Sequence, residues 1–155
     1  MNGILRHNQK AVSPVIATII IVAVAIVMSI AVAYWMLGLA TTFTRYEKLE
    51  YTAAYAAPQN GNWSITLTLK NTGTVVATVN NILINGIPYN ATGVSGIKVI
   101  TNLPLTINTG DSGTITLTIG SGASTPTGSF TSGVTVEIIV VTAAGNQYPK
   151  TIVLP

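Results

Sequence analysis

The chain has 155 residues, which is enough for one small domain and an additional helix. Hydrophobic residues make up 48% of it and charged residues only 7%, whereas an ordinary globular protein carries about 25% charged residues. The net charge of +3 comes from scattered basic residues, which argues against nucleic-acid binding, and the absence of cysteine excludes disulfides, thiol catalysis and cysteine-ligated metals.

The first ten residues, MNGILRHNQK, form a polar leader that ends in Lys10, directly before a long apolar run. This leader is a poor start for a helix. Ser13 and Pro14 are a good one, since serine suits the N-cap and proline suits the first helical position, where its missing N–H is not needed. The pattern therefore predicts a helix that begins at Pro14 and leaves the leader outside it.

The apolar run extends from Ala11 to Thr44, and none of its 34 residues is charged. As a helix it would be roughly 51 Å long, whereas the hydrocarbon core of a bilayer is only about 30 Å thick. A helix that is apolar on every face is buried in lipid or in a large assembly. The aromatic pair Tyr34 and Trp35 is typical of a membrane boundary, and the remaining length predicts burial against further copies of the same helix.

Charges beside the apolar run predict its orientation. Arg6 and Lys10 precede it, while the basic residues on the far side are balanced by acidic ones, so the N-terminus is expected in the cytoplasm and the rest outside. A secretory signal peptide is an alternative, with GLA at residues 38–40 as its cleavage site. Its apolar region would then be much longer than the usual 7–15 residues or so.

The segment KAVSPVIATIIIVAVAIVMSIAVAYW, at residues 10–35, closely resembles the N-terminus of archaeal type IV pilins. The resemblance is strong over residues 6–45 and only architectural beyond them. It implies that a prepilin peptidase cuts between Lys10 and Ala11. Bacterial pilins typically carry a glutamate at the fifth position after the cut, where this chain has Val15, so a pairing of that glutamate with a terminal amine is not expected here.

The resemblance also implies an assembly pathway. Subunits would wait in the membrane as precursors, and pilus assembly machinery would then bundle their helices into an apolar filament core. Burial of apolar surface, at about 25 cal/mol per Å², would hold such a fibre together. The expected filament-core residues are Val15, Ile19, Val22, Ile26, Ile30, Ala33 and Leu37.

Beyond residue 50 the apolar run gives way to glycine-rich turns and to strands in which apolar and polar residues alternate. Pro149 predicts an edge strand, or a strand that starts after it. The pattern predicts an α+β chain with a leader at 1–10, a hydrophobic transmembrane or filament-core helix at 11–50, and an immunoglobulin-like antiparallel β-sandwich head at 51–155. The predicted strands are 63–70, 80–86, 114–119, 134–142 and 150–154.

Two sequons, NWS at Asn62 and NAT at Asn90, predict N-glycosylation of an exported head. No pattern of catalytic residues is present in the sequence. The only histidine, His7, lies in the leader, and the isolated acids Asp111 and Glu137 do not suggest a catalytic pair. We therefore expect no enzymatic activity, no cofactor and no metal site, with Asp111 a turn residue that bonds its own backbone.

Together these patterns predict the major structural subunit of an extracellular archaeal type IV pilus that serves adhesion. One alternative is a minor pilin or pilin-like subunit whose head binds a ligand such as a sugar. That reading predicts exposed aromatic residues gathered around a cleft, drawn from Tyr51, Tyr55, Trp63, Tyr89, Phe130 and Tyr148. Another alternative is a surface domain that keeps its leader and stays anchored in the membrane.

Overall fold

The computed structural model describes residues 13–155, which divide into two compact units, one on each side of the Thr44–Arg45 bond. The first contains the 30-residue helix α1, Pro14–Phe43. It begins at the proline, as predicted, and the carbonyl of Ser13 accepts the first helical hydrogen bond from the amide of Ala17 at 3.1 Å. The hydroxyl of Ser13 makes no capping bond, so the start rests on the proline and the backbone alone.

The few polar side chains of α1 bond to its own backbone. Thr18 donates to the carbonyl of Val15 at 2.8 Å, and Ser29 donates to the carbonyl of Ala25 at 2.7 Å. These hydroxyls are therefore satisfied within the helix and need no external partner. As a result, polar groups interrupt the apolar surface of α1 very little.

The second unit, Arg45–Pro155, is a head made of two antiparallel sheets. Its strands are β1 (Leu49–Gln59), β2 (Asn62–Asn71), β3 (Ala77–Ile84), β4 (Ile87–Pro88), β5 (Ser95–Val99), β6 (Leu105–Ile107), β7 (Ser112–Thr125), β8 (Gly128–Ser129), β9 (Thr135–Thr142) and β10 (Gln147–Val153). The first sheet has the order β1-β2-β7-β5, with β8 paired to β7. The second has the order β10-β9-β3-β4, with β6 paired to β3.

The alternation of the strands places one apolar row from each sheet in a common core. The central strands β2 and β7 contribute residues that are completely buried, and β3 and β9 do the same from the second sheet. The structure thus confirms the predicted fold class, a long helix followed by a sandwich of two antiparallel sheets. The fully buried residues of the central strands are Ile65, Leu67, Leu69, Val79, Ile82, Ile84, Ile115, Leu117, Ile119, Val136, Ile138 and Val140.

Hydroxyl side chains form a ladder on the outer face of the first sheet, which we call the hydroxyl ladder. It consists of three directly opposed pairs from β2 and β7, and each of its residues is partly exposed. Opposed threonines suit this position because their branched side chains favour strands and their hydroxyls remain hydrated. The pairs are Ser64 with Thr118, Thr66 with Thr116, and Thr68 with Thr114.

Strand β1 marks the main difference from the sequence prediction. The helical segment was expected to run to residue 50, but α1 ends at Phe43, and β1 already begins at Leu49. A two-residue turn joins β1 to β2, in which Asn60 and Gly61 have φ angles of 50° and 78°. Both values are typical of the tight hairpin turn that asparagine–glycine favours. The last strand of the chain, β10, contains Pro149 and is an edge strand of the second sheet, as predicted.

A short neck, residues 45–48, leads into β1 and is fastened by the loop 71–75. The carbonyl of Lys48 accepts a hydrogen bond from the amide of Thr72 at 2.9 Å, and the carbonyl of Tyr46 accepts one from the amide of Thr74 at 2.9 Å. Gly73 lies so close to the neck that a Cβ there would be 2.6 Å from both the Lys48 nitrogen and the Tyr46 oxygen. Only glycine fits at this position.

The buried Asn71 holds that loop in shape. Its Nδ2 donates to the carbonyls of Val75 and Ile107 at 2.8 and 3.0 Å, and its Oδ1 accepts from the amide of Gly73 at 3.0 Å. A buried polar side chain that is satisfied in this way stabilises one loop conformation. The neck therefore enters the head through a defined set of hydrogen bonds.

Candidate functional site

The surface of α1 is the largest apolar feature of the described chain. None of its residues is buried, and by length and composition the helix could cross a membrane. The predicted filament-core residues are all exposed, by 53% at Ile30 to 65% at Leu37 among the larger ones, and Ala33 is exposed as well. Burial of one large aliphatic side chain contributes about 1.5–3 kcal/mol, so this surface strongly favours an apolar environment.

The predicted peptidase cleavage site, Lys10–Ala11, lies outside the described residues and stays a prediction. The boundary aromatics Tyr34 and Trp35 are described, and both side chains are largely exposed on α1.

The two sequons lie in different surroundings. Asn90 is exposed in the turn that follows β4, where the amide of Ala91 bonds to the carbonyl of Pro88 at 3.0 Å. Asn62 is the first residue of β2 and is partly buried, and its Oδ1 accepts a hydrogen bond from the amide of Ser121 at 3.1 Å. The sequence pattern alone does not distinguish these two positions.

A cleft of about 640 Å³ opens beside Asn62 on the outer face of the first sheet, and we call it the sequon cleft. Two glycines of neighbouring strands line it, and each lies close to the backbone of the adjacent strand. A Cβ on Gly96 would lie 2.9 Å from Ala123, and a Cβ on Gly120 would lie 3.1 Å from the carbonyl of Gly96. Glycine inside a strand often marks such a close approach of two backbones. The lining residues are Asn62, Gly96, Lys98, Ile100, Thr118 and Gly120.

The acids of the sandwich lie on separate elements. Asp111 is exposed just before β7, and its carboxylate accepts a hydrogen bond from the Asn108 side chain at 3.2 Å rather than from its own backbone. Glu137 is exposed on β9, in the other sheet. Within residues 13–155, no three histidine, cysteine, aspartate or glutamate side chains are grouped so that they could hold a metal ion.

The aromatic residues of the head do not gather around the sequon cleft. Trp63 and Phe130 belong to the core, and the indole of Trp63 donates to the carbonyl of Pro155 at 2.9 Å. Tyr55 is exposed on β1, and Tyr89 packs partly against the core. The sequon cleft therefore lacks the aromatic lining that a sugar-binding minor pilin predicts.

Tyr51 and Tyr148 instead fasten the edges of the two sheets together. The hydroxyl of Tyr51 donates to the carbonyl of Tyr148 at 2.6 Å, and Lys150 lies 5.9 Å from the centre of the Tyr51 ring. Burial raises the pKa of Tyr51 above its ordinary value of 10.0. Burial also raises the pKa of Tyr148, and the negative charge of Glu47 adds to that shift.

One exposed ion pair lies at the entrance to β1, where Lys48 Nζ is 2.6 Å from Glu50 Oε1. The hydrogen bond from Lys48 lowers the pKa of Glu50, and the same bond to Glu50 raises the pKa of Lys48. Both groups are solvated, so the pair adds little to stability.

No protein-family model and no curated protein sequence matches the chain. Among solved structures, the apo PCuAC domain from PmoF1 is similar with a TM-score of 0.47 and 11% identity, over 71% of this chain and 98% of that one. The archaellum periplasmic stator protein FlaG from Sulfolobus acidocaldarius is similar with a TM-score of 0.39 and 19% identity, over 68% of this chain and 99% of that one.

The secreted serine protease VesC from Vibrio cholerae is similar with a TM-score of 0.41 and 12% identity, over 70% of this chain but only 22% of the protease. At these TM-scores and identities, the three similarities indicate neither a family nor a function.

Proposed function

We propose that the chain is a structural subunit of an extracellular archaeal type IV pilus. The precursor resides in the cytoplasmic membrane, a prepilin peptidase removes residues 1–10, and pilus assembly machinery builds a homopolymer that serves adhesion. The observation that carries this proposal is the apolar surface of α1, on which no residue is buried. The resemblance of residues 10–35 to archaeal pilins supports it.

Helix α1 has a property that a simple anchor does not need. Its 30 residues correspond to about 45 Å of helix, which exceeds the bilayer core of about 30 Å. In a filament, the whole length is buried against neighbouring copies. Alanine and glycine along the helix let the backbones approach closely, while the large aliphatic residues fill the space between them.

The head contributes an outer sheath in this proposal. Its own core is complete, since the central strands bury their apolar rows, and its outer face carries hydroxyl groups rather than catalytic residues. The separation of Asp111 from Glu137 on different sheets supports a non-enzymatic role. In this proposal the chain works by assembly and surface contact.

N-terminal and intact-protein mass spectrometry of filaments sheared from cells tests the proposal. We expect a dominant chain that begins at Ala11, with mass beyond the peptide if sugars are attached. A chain that begins at Met1 and is found only in membranes would identify an anchored surface domain. A soluble chain that begins at Thr41 would identify a secreted head, and either result would overturn the pilus assignment.

A membrane-anchored surface domain is the second candidate, because α1 is long and apolar enough to span a bilayer by itself. The same experiment separates the two. An anchored domain remains in the membrane fraction with its leader, whereas a pilin leaves the membrane without it.

A further inference from the structure

We infer that an N-linked sugar is attached to Asn62 and packs in the sequon cleft, so that the head carries one glycan in contact with its surface. This inference rests on the proposed function, because the modification requires an exported head. The cleft and the sequon share Asn62, so a sugar attached to this residue would lie at the cleft.

Asn62 is held in a position that permits attachment. It immediately follows the tight turn at Asn60 and Gly61, at the end of the β1–β2 hairpin. Its Oδ1 accepts the hydrogen bond from the Ser121 amide, whereas a sugar is attached to Nδ2. The modification therefore leaves the bond to Ser121 intact.

The covalent step uses an activated donor, a phosphate-linked oligosaccharide. The bond between the anomeric carbon and the phosphate oxygen breaks, and a bond from that carbon to Nδ2 of Asn62 forms. The amide nitrogen loses one proton to solvent, and the phosphate ester departs as the leaving group with the electron pair of the broken bond. Ser64 supplies the hydroxyl that completes the sequon.

The cleft offers both polar and apolar groups that a tethered sugar could contact. Its volume of about 640 Å³ lies within the range of small-ligand sites, roughly 300–1,000 Å³. Lys98 and Thr118 offer hydrogen bonds to hydroxyl groups, and the half-exposed Ile100 offers an apolar face for the carbon side of a ring.

Covalent attachment explains how a shallow cleft without aromatic lining holds a sugar. A short tether gives an effective concentration in the millimolar range, so weak contacts are sufficient. A free sugar would need tighter binding. Asn90 provides the contrast, because it lies in an exposed turn and does not line the sequon cleft.

The test uses the full-length chain from cells that make it naturally, and it begins with mass-spectrometric occupancy of both sequons. The thermal midpoint of the head is then compared among the wild type, Ser64→Ala, the wall variant Lys98→Ala/Ile100→Ser, and the combined triple variant. Thr92→Ala is the matched control, because it removes the Asn90 sequon in the same way. The wild-type chain is expected to carry sugar on Asn62.

Ser64→Ala should lower the midpoint by about 4 °C in the wild-type background and leave it unchanged in the wall variant. Thr92→Ala should leave the thermal midpoint unchanged in both backgrounds. Equal lowering in both backgrounds, with Asn62 occupied, would overturn the packed glycan. An unmodified Asn62 beside a modified Asn90 on filaments that begin at Ala11 would also overturn it, while leaving the pilus assignment intact.

Two further outcomes are distinguishable. Binding of the released oligosaccharide by a chain whose Asn62 is never modified would show that the cleft takes its carbohydrate from outside, against the tethered source. A chain that keeps Met1 and carries sugar at neither sequon would contradict both this inference and the proposed function.

Discussion

The helix and the head treat apolar residues in opposite ways. The central strands of the head bury Ile65, Leu117 and their neighbours completely, whereas Ile26 and Val22 of α1 are more than half exposed. In the head, these residue types stabilise the fold because they are buried against one another. On the helix, the same residue types could be buried only by other molecules. This difference separates the head, which buries its own apolar residues, from α1, which in the proposed function is covered by lipid or by other copies.

A charge in the middle of α1 is expected to have the largest effect. We expect Val24→Asp to abolish filaments, because a carboxylate at the centre of a helix in an apolar environment is unfavourable by about 2.5–3.5 kcal/mol on insertion scales. Electron microscopy and yield of sheared filaments measure the effect. The control is Ser132→Asp, which adds the same charge at an exposed residue of the head. Abundant normal filaments from the Val24 variant would refute a role of α1 in the filament core.

Truncation of one apolar side chain in each unit tests which of them stabilises the folded head. Ile65→Ala should destabilise the head by about 2–5 kcal/mol, because the side chain is fully buried and its removal leaves a cavity. Ile26→Ala should leave the unfolding midpoint of the head unchanged. Denaturant unfolding of the full-length chain in detergent would measure both, in a Trp35→Phe background so that the tryptophan fluorescence comes from the buried Trp63 alone. A similar loss from the two variants would contradict the independence of the head.

A glycine in each unit gives a smaller contrast. Gly73→Ala should destabilise the head by about 1–3 kcal/mol, since its Cβ would collide with the neck at Tyr46 and Lys48. Gly38→Ala meets no atom within 4 Å and should be neutral or slightly stabilising to α1. Thermal unfolding, together with limited proteolysis of residues 45–48, measures the effect. Unchanged protease resistance in the Gly73 variant would show that the loop does not fasten the neck.

The smallest expected effect concerns alkaline pH. Because burial raises the pKa of Tyr51, the unfolded chain loses this proton near pH 10 while the folded head retains it. Stability is therefore fully present below pH 10 and falls as the pH rises above it. Tyr51→Phe should lower the free energy of unfolding by about 1 kcal/mol at pH 8, because the hydrogen bond to Tyr148 is lost. Above pH 10 the free energy of unfolding of this variant should fall less steeply than that of the wild type.

Tyr55→Phe is the control for this measurement, since its ring is exposed on the same strand. The free energy of unfolding is compared at pH 8 and pH 11. Equal slopes for the wild type and Tyr51→Phe would show that this hydroxyl does not contribute to the alkaline limb.

Much of the fold could be predicted because its signals are local. The uncharged run locates α1, Pro14 marks its first residue, and strict alternation from Trp63 to Leu69 identifies a strand with one buried face. Strand β1 escaped prediction because a bulge between Tyr51 and Ala53 interrupts its period of two. The asparagine–glycine pair at residues 60 and 61 was the signal that could have revealed it.

The candidate site was less predictable, because its geometry depends on distant pairing. Both sequons are visible in the sequence, but only the register between β5 and β7 brings Gly96 beside Gly120 and opens a cleft at Asn62. The sequence names the aromatic residues of the head, but strand order decides which of them lie in the core and which lie at the sheet edges. Local patterns carry no information about either arrangement.

The hydroxyl ladder has a consequence for the colloidal behaviour of a fibre made from this chain. Its three pairs carry no ionisable group, so the hydration of these six side chains does not change with pH, whereas Lys98 beside Thr118 keeps one charge on the same face. Charge repulsion between particles weakens as salt shortens its range to a few ångströms, but bound water does not depend on that range. Where this ladder faces solvent in a fibre, its hydration would oppose bundling in a way that depends little on ionic strength.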